Sequence, residues 1–304
     1  MPQTASAAPG LAGAVRGPLW MLSFCFFLSS QAIFIRHLAA DLHPFEIVFF
    51  RNVFGLAFLL PLLWQTGFAQ MRVTRYGMYA LATVFAATGP FFWYWSIAMM
   101  PMADMIALTF LSPVFSSIVA IFLFREGFDL RRLGAIAVGF AGAMIILRPG
   151  LAVISAPAWI ALIATFCIAS GALTLRALSR TDSSNVIVLW TAAFAVPISA
   201  VPAAFVWTGP SLDSLGWLVG VALAAMLAQI SWVRSLAAAP VSAVMPFNFA
   251  KLPVAAFFGF AFFGEEPDRY TWVGAAVIFV ATLYIGQYEA RAAQGRRAAV
   301  SPAD

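Results

Sequence analysis

The chain has 304 residues, of which 63% are hydrophobic and 10% are charged, and its mean hydropathy is +0.93. A soluble domain has about a quarter of its residues charged, so this chain has too few charges to cover a globular surface in water. Composition therefore excludes a soluble binding module and indicates that lipid surrounds most of the chain. The net charge of +5 does not indicate a nucleic-acid partner, because basic residues in membrane proteins mark cytoplasmic loops.

The two cysteines, Cys25 and Cys167, each lie in the middle of an apolar run. No histidine or acidic residue stands near either one in the sequence, so the pattern indicates packing residues rather than a disulfide framework or a metal site. We expect no metal and no cofactor.

The chain divides into ten apolar segments between two tails. Residues 1–18 are mostly small, with Arg16 the only charge, and we expect a short disordered cytoplasmic tail there, with a second cytoplasmic tail at 289–304. A helix needs about 20 apolar residues to span a membrane. The predicted spans are 19–38, 45–64, 76–98, 103–124, 131–148, 157–176, 185–206, 214–236, 242–263 and 270–288. Strands of a membrane barrel are about half this length and alternate in polarity, so the sequence predicts an all-α polytopic membrane protein.

A repeat relates the two halves of the chain. Residues 93–129 align without a gap on residues 232–268, at an offset of 139. Tryptophan, glutamate and aspartate recur at matching positions in the two segments. The sequence therefore predicts two five-helix repeats, at 19–150 and 151–288. The second repeat has an apolar segment where the first has 19–38, so we interpret 19–38 as a span rather than a signal peptide.

The basic residues predict the orientation. With the N-terminus inside, twelve arginines fall on the cytoplasmic side and three on the outer side, which places both termini in the cytoplasm. Five spans is an odd number, so the second repeat enters the membrane upside down relative to the first. Inverted repeats are common in secondary transporters, whose substrate binds near the midplane where the halves meet.

Several segments now carry a resemblance to a known family. These are HPFEIVFFRNVFG at 43–55, LSPVFSSIVAIFLFREGFDLRRLGAIAVGFAGAMIIL at 111–147, and LPVAAFFGFAFFGEEPDRYTWVGAAVIFVATLYIG at 252–286. A proline, an apolar helix, a glutamate, a turn and a glycine-rich helix recur in both halves. This pattern resembles the EamA domain of the drug/metabolite transporter superfamily. The second copy departs from the usual pattern in having Gly264 before Glu265.

The resemblance implies a carrier of the bacterial inner membrane with ten helices around a central cavity that works by alternating access. Many similar proteins export amino acids or related metabolites, so we expect an exporter of small amphipathic compounds. Other members of the superfamily are similar to importers of riboflavin or S-adenosylmethionine, and import remains the alternative. A monomer suffices for such a carrier, because its two halves already form the interface.

Polar side chains within spans select the candidate cavity residues, because such groups normally point away from lipid. Asn248 and Lys251 lie near the middle of the ninth span, and their repeat equivalents are Thr109 and Ser112. We predict that these four residues form one cavity wall, with Lys251 facing a substrate carboxylate. As an alternative, Lys251 bonds carbonyls that nearby prolines leave free, or extends to the membrane interface.

Four further side chains are cavity candidates. Trp93 and Trp232 are related by the repeat, although aromatic residues near span ends more often form an interfacial belt. Gln31 lies within the first span and Gln229 precedes Trp232. An apolar cavity with a few polar groups suits amphipathic small molecules.

Arg51 lies early in the second span, and its repeat equivalent is Trp190, so the fold of the module does not require the charge. We expect a structural ion pair of Arg51 with Glu46 or Asp104. As alternatives, Arg51 extends to the outer membrane interface or binds an anionic group.

The distribution of acids and histidines argues against other classes of protein. Acidic residues stand at span ends or in loops, whereas proton-driven carriers often use a carboxylate deep in the membrane. We therefore expect facilitated diffusion or exchange, and no catalytic residues. A membrane-embedded enzyme needs clustered His, Asp, Glu or Cys, and a channel usually needs symmetric subunits or charged rings. The sequence shows neither pattern, so a metabolite carrier is preferred to both.

Overall fold

A computed structural model describes residues 11–66, 76–124, 130–147, 155–178, 182, 184–239 and 241–300, and every regular element in these ranges is an α-helix. The helices are α1 (Leu11–Leu38), α2 (Pro44–Thr66), α3 (Tyr76–Met99), α4 (Met102–Thr109), α5 (Ser112–Phe124), α6 (Leu130–Leu147), α7 (Ala156–Leu178), α8 (Ser184–Phe205), α9 (Leu212–Ala238), α10 (Val241–Asn248), α11 (Lys251–Phe263) and α12 (Arg269–Val300).

Along the apolar segments, these helices match the ten predicted spans to within a few residues. The fourth and ninth spans are each divided into two helices, which the continuous apolar pattern did not predict. The chain ends also differ from expectation, because α1 begins at Leu11 and α12 continues to Val300. Residues 289–300 contain five alanines, the residue with the highest helix propensity, so helix continues beyond the apolar segment at this end.

The helical state follows from the solvent. Lipid offers no hydrogen bonds, so the backbone must satisfy its polar groups within each span. Five stretches of the described residues are long and apolar enough to cross a membrane by length and composition. They are Val15–Leu38, Met102–Val119, Ala156–Leu175, Leu212–Ala238 and Val244–Phe263. Large apolar side chains such as Phe257, Phe260 and Phe262 are exposed on α11, which is typical of a surface that faces lipid.

A pseudo-two-fold axis relates the two halves. Adding 139 to the residue numbers that bound α4 and α5 gives the bounds of α10 and α11 without any deviation. The same offset also converts α1 into α7 and α3 into α9. The most extensive helix pairs are α1 with α9 and α3 with α7, and the offset exchanges these two pairs. The pairs α2 with α8 and α6 with α12 each join a helix to its own repeat equivalent.

Contacts at the helix ends show that the repeats are inverted. Ser96, near the end of α3, donates a hydrogen bond of 3.0 Å to the carbonyl of Pro157 at the start of α7. Ser235, near the end of α9, donates one of 2.8 Å to the carbonyl of Gly17 in the first turns of α1. α1 and α3 are separated by one span and so run in the same direction. Because α7 is antiparallel to α3, it also runs opposite to its repeat equivalent α1, as in other inverted-repeat transporters.

Glycines allow α6 and α12 to cross closely. A Cβ atom on Gly274 would lie 2.6 Å from the carbonyl oxygen of Gly142, and one on Gly142 would lie 2.9 Å from that of Gly274. Small residues at a crossing bring two backbones into van der Waals contact, which stabilises helix pairs in lipid.

Candidate functional site

Both halves interrupt a span at the same repeat position. In the first half α4 ends at Thr109 and α5 begins at Ser112. In the second half α10 ends at Asn248 and α11 begins at Lys251. The repeat relates the positions of the two interruptions. The interruption is therefore a feature of the five-helix repeat itself.

The backbone tightens at each interruption. The N–H of Phe110 bonds the carbonyl of Ala107 at 3.1 Å, and the N–H of Phe249 bonds that of Pro246 at 3.3 Å. Such three-residue bonds replace the ordinary four-residue pattern of the α-helix. The helix axis is therefore free to change direction at these two points.

Aromatic rings join the two interruptions. The rings of Phe110 and Phe249 stack with centroids 4.1 Å apart and planes inclined by 16°. Phe249 also contacts Phe279 of α12, with centroids 3.9 Å apart. The two halves of the protein therefore meet at an aromatic stack where their spans are broken. We call Phe110, Asn248, Phe249, Lys251 and Phe279 the helix-break cluster.

Lys251 is the only lysine of the chain. Its side chain is 7% exposed, and its Nζ lies 4.2 Å from the centroid of the Phe110 ring. Across the part of the chain that the structure describes, no carboxylate pairs with this ammonium. Lys251 also begins α11, where the helix dipole adds positive potential. A cation–π contact is thus its favourable interaction, and the described surroundings do not balance the positive charge.

The polar residues predicted for the cavity wall lie at the two interruptions. The Oδ1 atom of Asn248 is buried and has no hydrogen-bond partner among the described residues. Thr109 donates a bond of 2.6 Å to the carbonyl of Ile106, and Ser112 is half-buried at the start of α5. The Sγ atom of Cys25 lies 3.6 Å from the carbonyl of Asn248, so α1 covers the end of α10.

A second set of polar side chains comes from α1, α2, α3 and α8. Gln31 donates a hydrogen bond to the hydroxyl of Tyr94. Arg51 donates to Asn52 at 3.0 Å, and Asn52 donates to Ser199 at 3.2 Å. Sequence reasoning selected Gln31 but not Tyr94, although a phenol within a span satisfies the same rule.

The contacts among the described residues do not include the expected ion pair of Arg51 with Glu46 or Asp104. Glu46 instead accepts hydrogen bonds from the loop between α8 and α9, and Asp104 accepts one from α12. The reason is position along the helix. Arg51 lies five residues beyond Glu46, a rise of about 7.5 Å, so its guanidinium lies deeper than the carboxylates at the helix ends.

The remaining candidates are Trp93, Trp232 and Gln229. Trp93 is 6% exposed within the main core, where its ring meets that of Tyr94 at 5.6 Å. Trp232 is half-buried and packs on Phe24 at 5.0 Å. Gln229 is exposed on α9. Trp93 thus shares the main hydrophobic core with Phe110 and Phe249, whereas Trp232 packs on a separate small core that includes Met21 and Val244.

Inverted five-helix halves with broken spans are typical of secondary transporters. The family model of the EamA-like transporter family matches residues 15–148 and 156–287. The chain belongs to this family, which lies in the drug/metabolite transporter superfamily, and it is an integral membrane protein.

Curated relatives along nearly the whole chain are transporters. The riboflavin transporter of Vibrio cholerae is 29% identical over 93% of this chain and 97% of its own. The S-adenosylmethionine uptake transporter of Rickettsia bellii is 24% identical over 90% of this chain and 94% of its own. The pseudopaline exporter of Pseudomonas aeruginosa is 25% identical over 89% of this chain and 96% of its own.

A solved crystal structure shares the fold. It superposes with a TM-score of 0.57 over 92% of this chain and 98% of its own, at 14% sequence identity.

Proposed function

We propose that this carrier moves a small, planar, heteroaromatic metabolite of the flavin kind across the bacterial inner membrane, and that the helix-break cluster binds it. The observation that carries the proposal is the Lys251 ammonium beside the Phe110–Phe249 stack, with no carboxylate partner among the described residues. Broken helices at the junction of inverted repeats are where secondary transporters bind their substrates.

The aromatic side of the cluster suits a planar ring. Phe110 and Phe249 stack nearly parallel, and aromatic pairs of this kind contribute about 0.5–1.5 kcal/mol beyond area burial. A ring that enters between them exchanges one aromatic contact for another. Asn248 adds a buried acceptor that has no partner among the described residues, and that a ring N–H or a hydroxyl would satisfy.

The charge of the cluster separates two substrate classes that relatives are named for. Riboflavin is neutral, and its ring presents carbonyl oxygens that accept hydrogen bonds from an ammonium. S-adenosylmethionine carries a permanent sulfonium cation. Like charges repel more strongly where water is excluded, and Lys251 is buried without a counter-charge from the described residues. The cluster therefore favours a flavin-like solute over a sulfonium.

The proposed direction is uptake. The likeness to the S-adenosylmethionine uptake transporter of Rickettsia bellii supports it, because the name of that relative states the direction. Export of an amphipathic metabolite, which we expected from the sequence, is the second candidate and is favoured by the likeness to the pseudopaline exporter.

Purified protein in liposomes tests the substrate class. We expect labelled riboflavin to exchange into vesicles preloaded with riboflavin, without a pH gradient, and S-adenosylmethionine not to compete. Exchange that requires a pH gradient would contradict the expected facilitated mechanism. Competition by S-adenosylmethionine but not by riboflavin would overturn the flavin proposal.

Exchange of amino acids in place of both would support the exporter alternative. Oriented efflux from everted cell vesicles then distinguishes export from uptake.

Lys251 is tested in the same vesicles. We expect Lys251→Met to lower kcat/KM for riboflavin by about 10- to 100-fold, because a hydrogen bond to a charged group contributes about 1.5–3 kcal/mol. Lys251→Arg should retain more activity than Lys251→Met. Arg234→Gln is the matched control, since Arg234 is exposed and lies over the ring of Trp20. Equal rates for Lys251→Met and the control would remove Lys251 from the site.

A further inference from the structure

We propose that Glu265 is a latch that holds one face of the bundle closed and must release before a substrate passes that face. This face, where α1 ends and α12 begins, is called the Glu265 face. The proposal goes beyond the proposed function and does not depend on which metabolite is carried.

Glu265 joins the second half of the protein to two elements of the first half. Its Oε1 forms an ion pair with Arg36 in the last turn of α1. Its Oε2 accepts a hydrogen bond of 2.9 Å from the backbone N–H of Met102, where α4 begins. The Arg36 guanidinium also lies 4.8 Å from the centroid of the Phe263 ring. One carboxylate thus ties the α11–α12 loop to both α1 and α4.

The local backbone places Glu265 in this position. Gly264 has a φ of 66° and ends α11, a conformation that favours glycine. The Glu265 N–H then bonds the carbonyl of Gly259 at 3.1 Å. A Cβ atom on Gly259 would lie 2.9 Å from Glu265 Oε2, so glycine at this position leaves room for the carboxylate.

Two other carboxylates connect the halves on the same face. Glu46, at the start of α2, accepts bonds of 3.1 Å from the N–H groups of Thr208 and Gly209 in the α8–α9 loop. Asp104 of α4 accepts a bond from a threonine of α12. With Glu265, three acidic side chains each bridge the two halves. The cavity beside Glu265 is about 10 Å³, room for no more than one water, so a metabolite does not fit in it.

Exposure distinguishes Glu265 from Glu46 as the contact that opens. The side chains of Arg36 and Glu265 are 21% and 15% exposed, whereas Glu46 is fully buried. Water can replace the partners of a partly exposed ion pair, so opening it costs less than opening a fully buried contact. Rocking of the halves can therefore break the Arg36–Glu265 contact at a small free-energy cost, as alternating access requires.

Thiol labelling of Ala103 tests the latch without any substrate. Ala103 is buried beside the small cavity that Glu265 also lines. In a chain with Cys25→Ala, Cys167→Ala and Ala103→Cys, an impermeant maleimide is applied to right-side-out and to inside-out vesicles. We expect Glu265→Gln to speed labelling from the Glu265 face about tenfold over Glu266→Gln, the fold-change for about 1.4 kcal/mol of lost closure. Glu266 is the adjacent, exposed glutamate and serves as the matched control.

Two further variants give independent readouts. If Arg36 acts through Glu265, the double variant Arg36→Gln with Glu265→Gln should label no faster than Glu265→Gln alone. Gly259→Val keeps the charge but displaces the carboxylate, and should also speed labelling. Equal labelling of the Glu265→Gln, Gly259→Val and Glu266→Gln proteins would overturn the latch. Faster labelling from the opposite face alone would overturn it as well.

Discussion

Arg51 shows how a charged side chain can connect helices through neutral partners. Its guanidinium donates to Asn52, which in turn bonds Ser199 and the carbonyl of Ala195 on α8. Because α2 and α8 are repeat equivalents, this chain of bonds crosses the pseudo-two-fold axis. The repeat equivalent of Arg51 is Trp190, so the second half fills the matching position with an apolar ring and the network is asymmetric.

His43, in the loop before α2, predicts a pH dependence of stability. Burial lowers the pKa of His43 below its ordinary value of 6.5, and the nearby Glu46 carboxylate opposes that shift. The folded protein therefore binds fewer protons here than the unfolded chain does. The stability tied to a neutral His43 is fully present above pH 6.5 and is lost as the pH falls through and below that value.

We therefore expect His43→Gln to reduce the fall in thermal stability between about pH 7.5 and about pH 5.5, measured by thermal unfolding in detergent. The variant and the unchanged protein are compared first at the higher pH, since the imidazole is neutral there in both the folded and the unfolded state. A fall of the same size in the variant would contradict a role for His43 titration.

At the scale of the helices, the crossing of α6 and α12 gives the sharpest prediction. A Cβ atom on either Gly274 or Gly142 would lie closer to the other residue's carbonyl oxygen than real Cβ atoms lie, so Gly274→Val forces the two backbones apart. We expect a loss of about 1–3 kcal/mol in the free energy of unfolding, seen as a lower midpoint of thermal unfolding in detergent.

Gly134→Ala on α6 is the control for this crossing. A Cβ atom there meets nothing within 4 Å, and alanine favours helix over glycine by about 1 kcal/mol. The control should therefore unfold at the same or a higher temperature than the unchanged protein. Equal midpoints for Gly274→Val and Gly134→Ala would show that the crossing tolerates a larger separation.

The helices could be predicted from the sequence because lipid leaves the backbone no partner outside its own segment. The interruptions at 110–111 and 249–250 were not predicted, since the residues at the breaks are themselves apolar and the apolar character of each span resumes on the far side. The polar residues beside the interruptions were predicted, because Asn248 and Lys251 are costly within a span. The partner of Arg51 was not, because sequence spacing does not give the direction in which a long side chain points.

At the scale of the whole molecule, the arginine distribution predicts which face is outside. Twelve arginines fall on the side of the termini and three on the Glu265 face, so we expect the Glu265 face to lie outside. Ser211→Cys, in the exposed α8–α9 loop, should react with an impermeant maleimide in intact cells whose outer membrane is permeabilised. A cysteine added after Asp304 should react only in inside-out vesicles, and the reverse pattern would show the opposite orientation.

The exchange of helix partners between halves has a consequence for biosynthesis. The long faces of α1 and α3 pack on α9 and α7, which leave the ribosome later. Until then, those faces have only lipid or the insertion machinery as neighbours. The first half therefore cannot complete its own packing, and assembly waits for the second half to arrive. A chain that stops after α6 would need another copy of itself, inserted in the opposite sense, to cover the same surfaces.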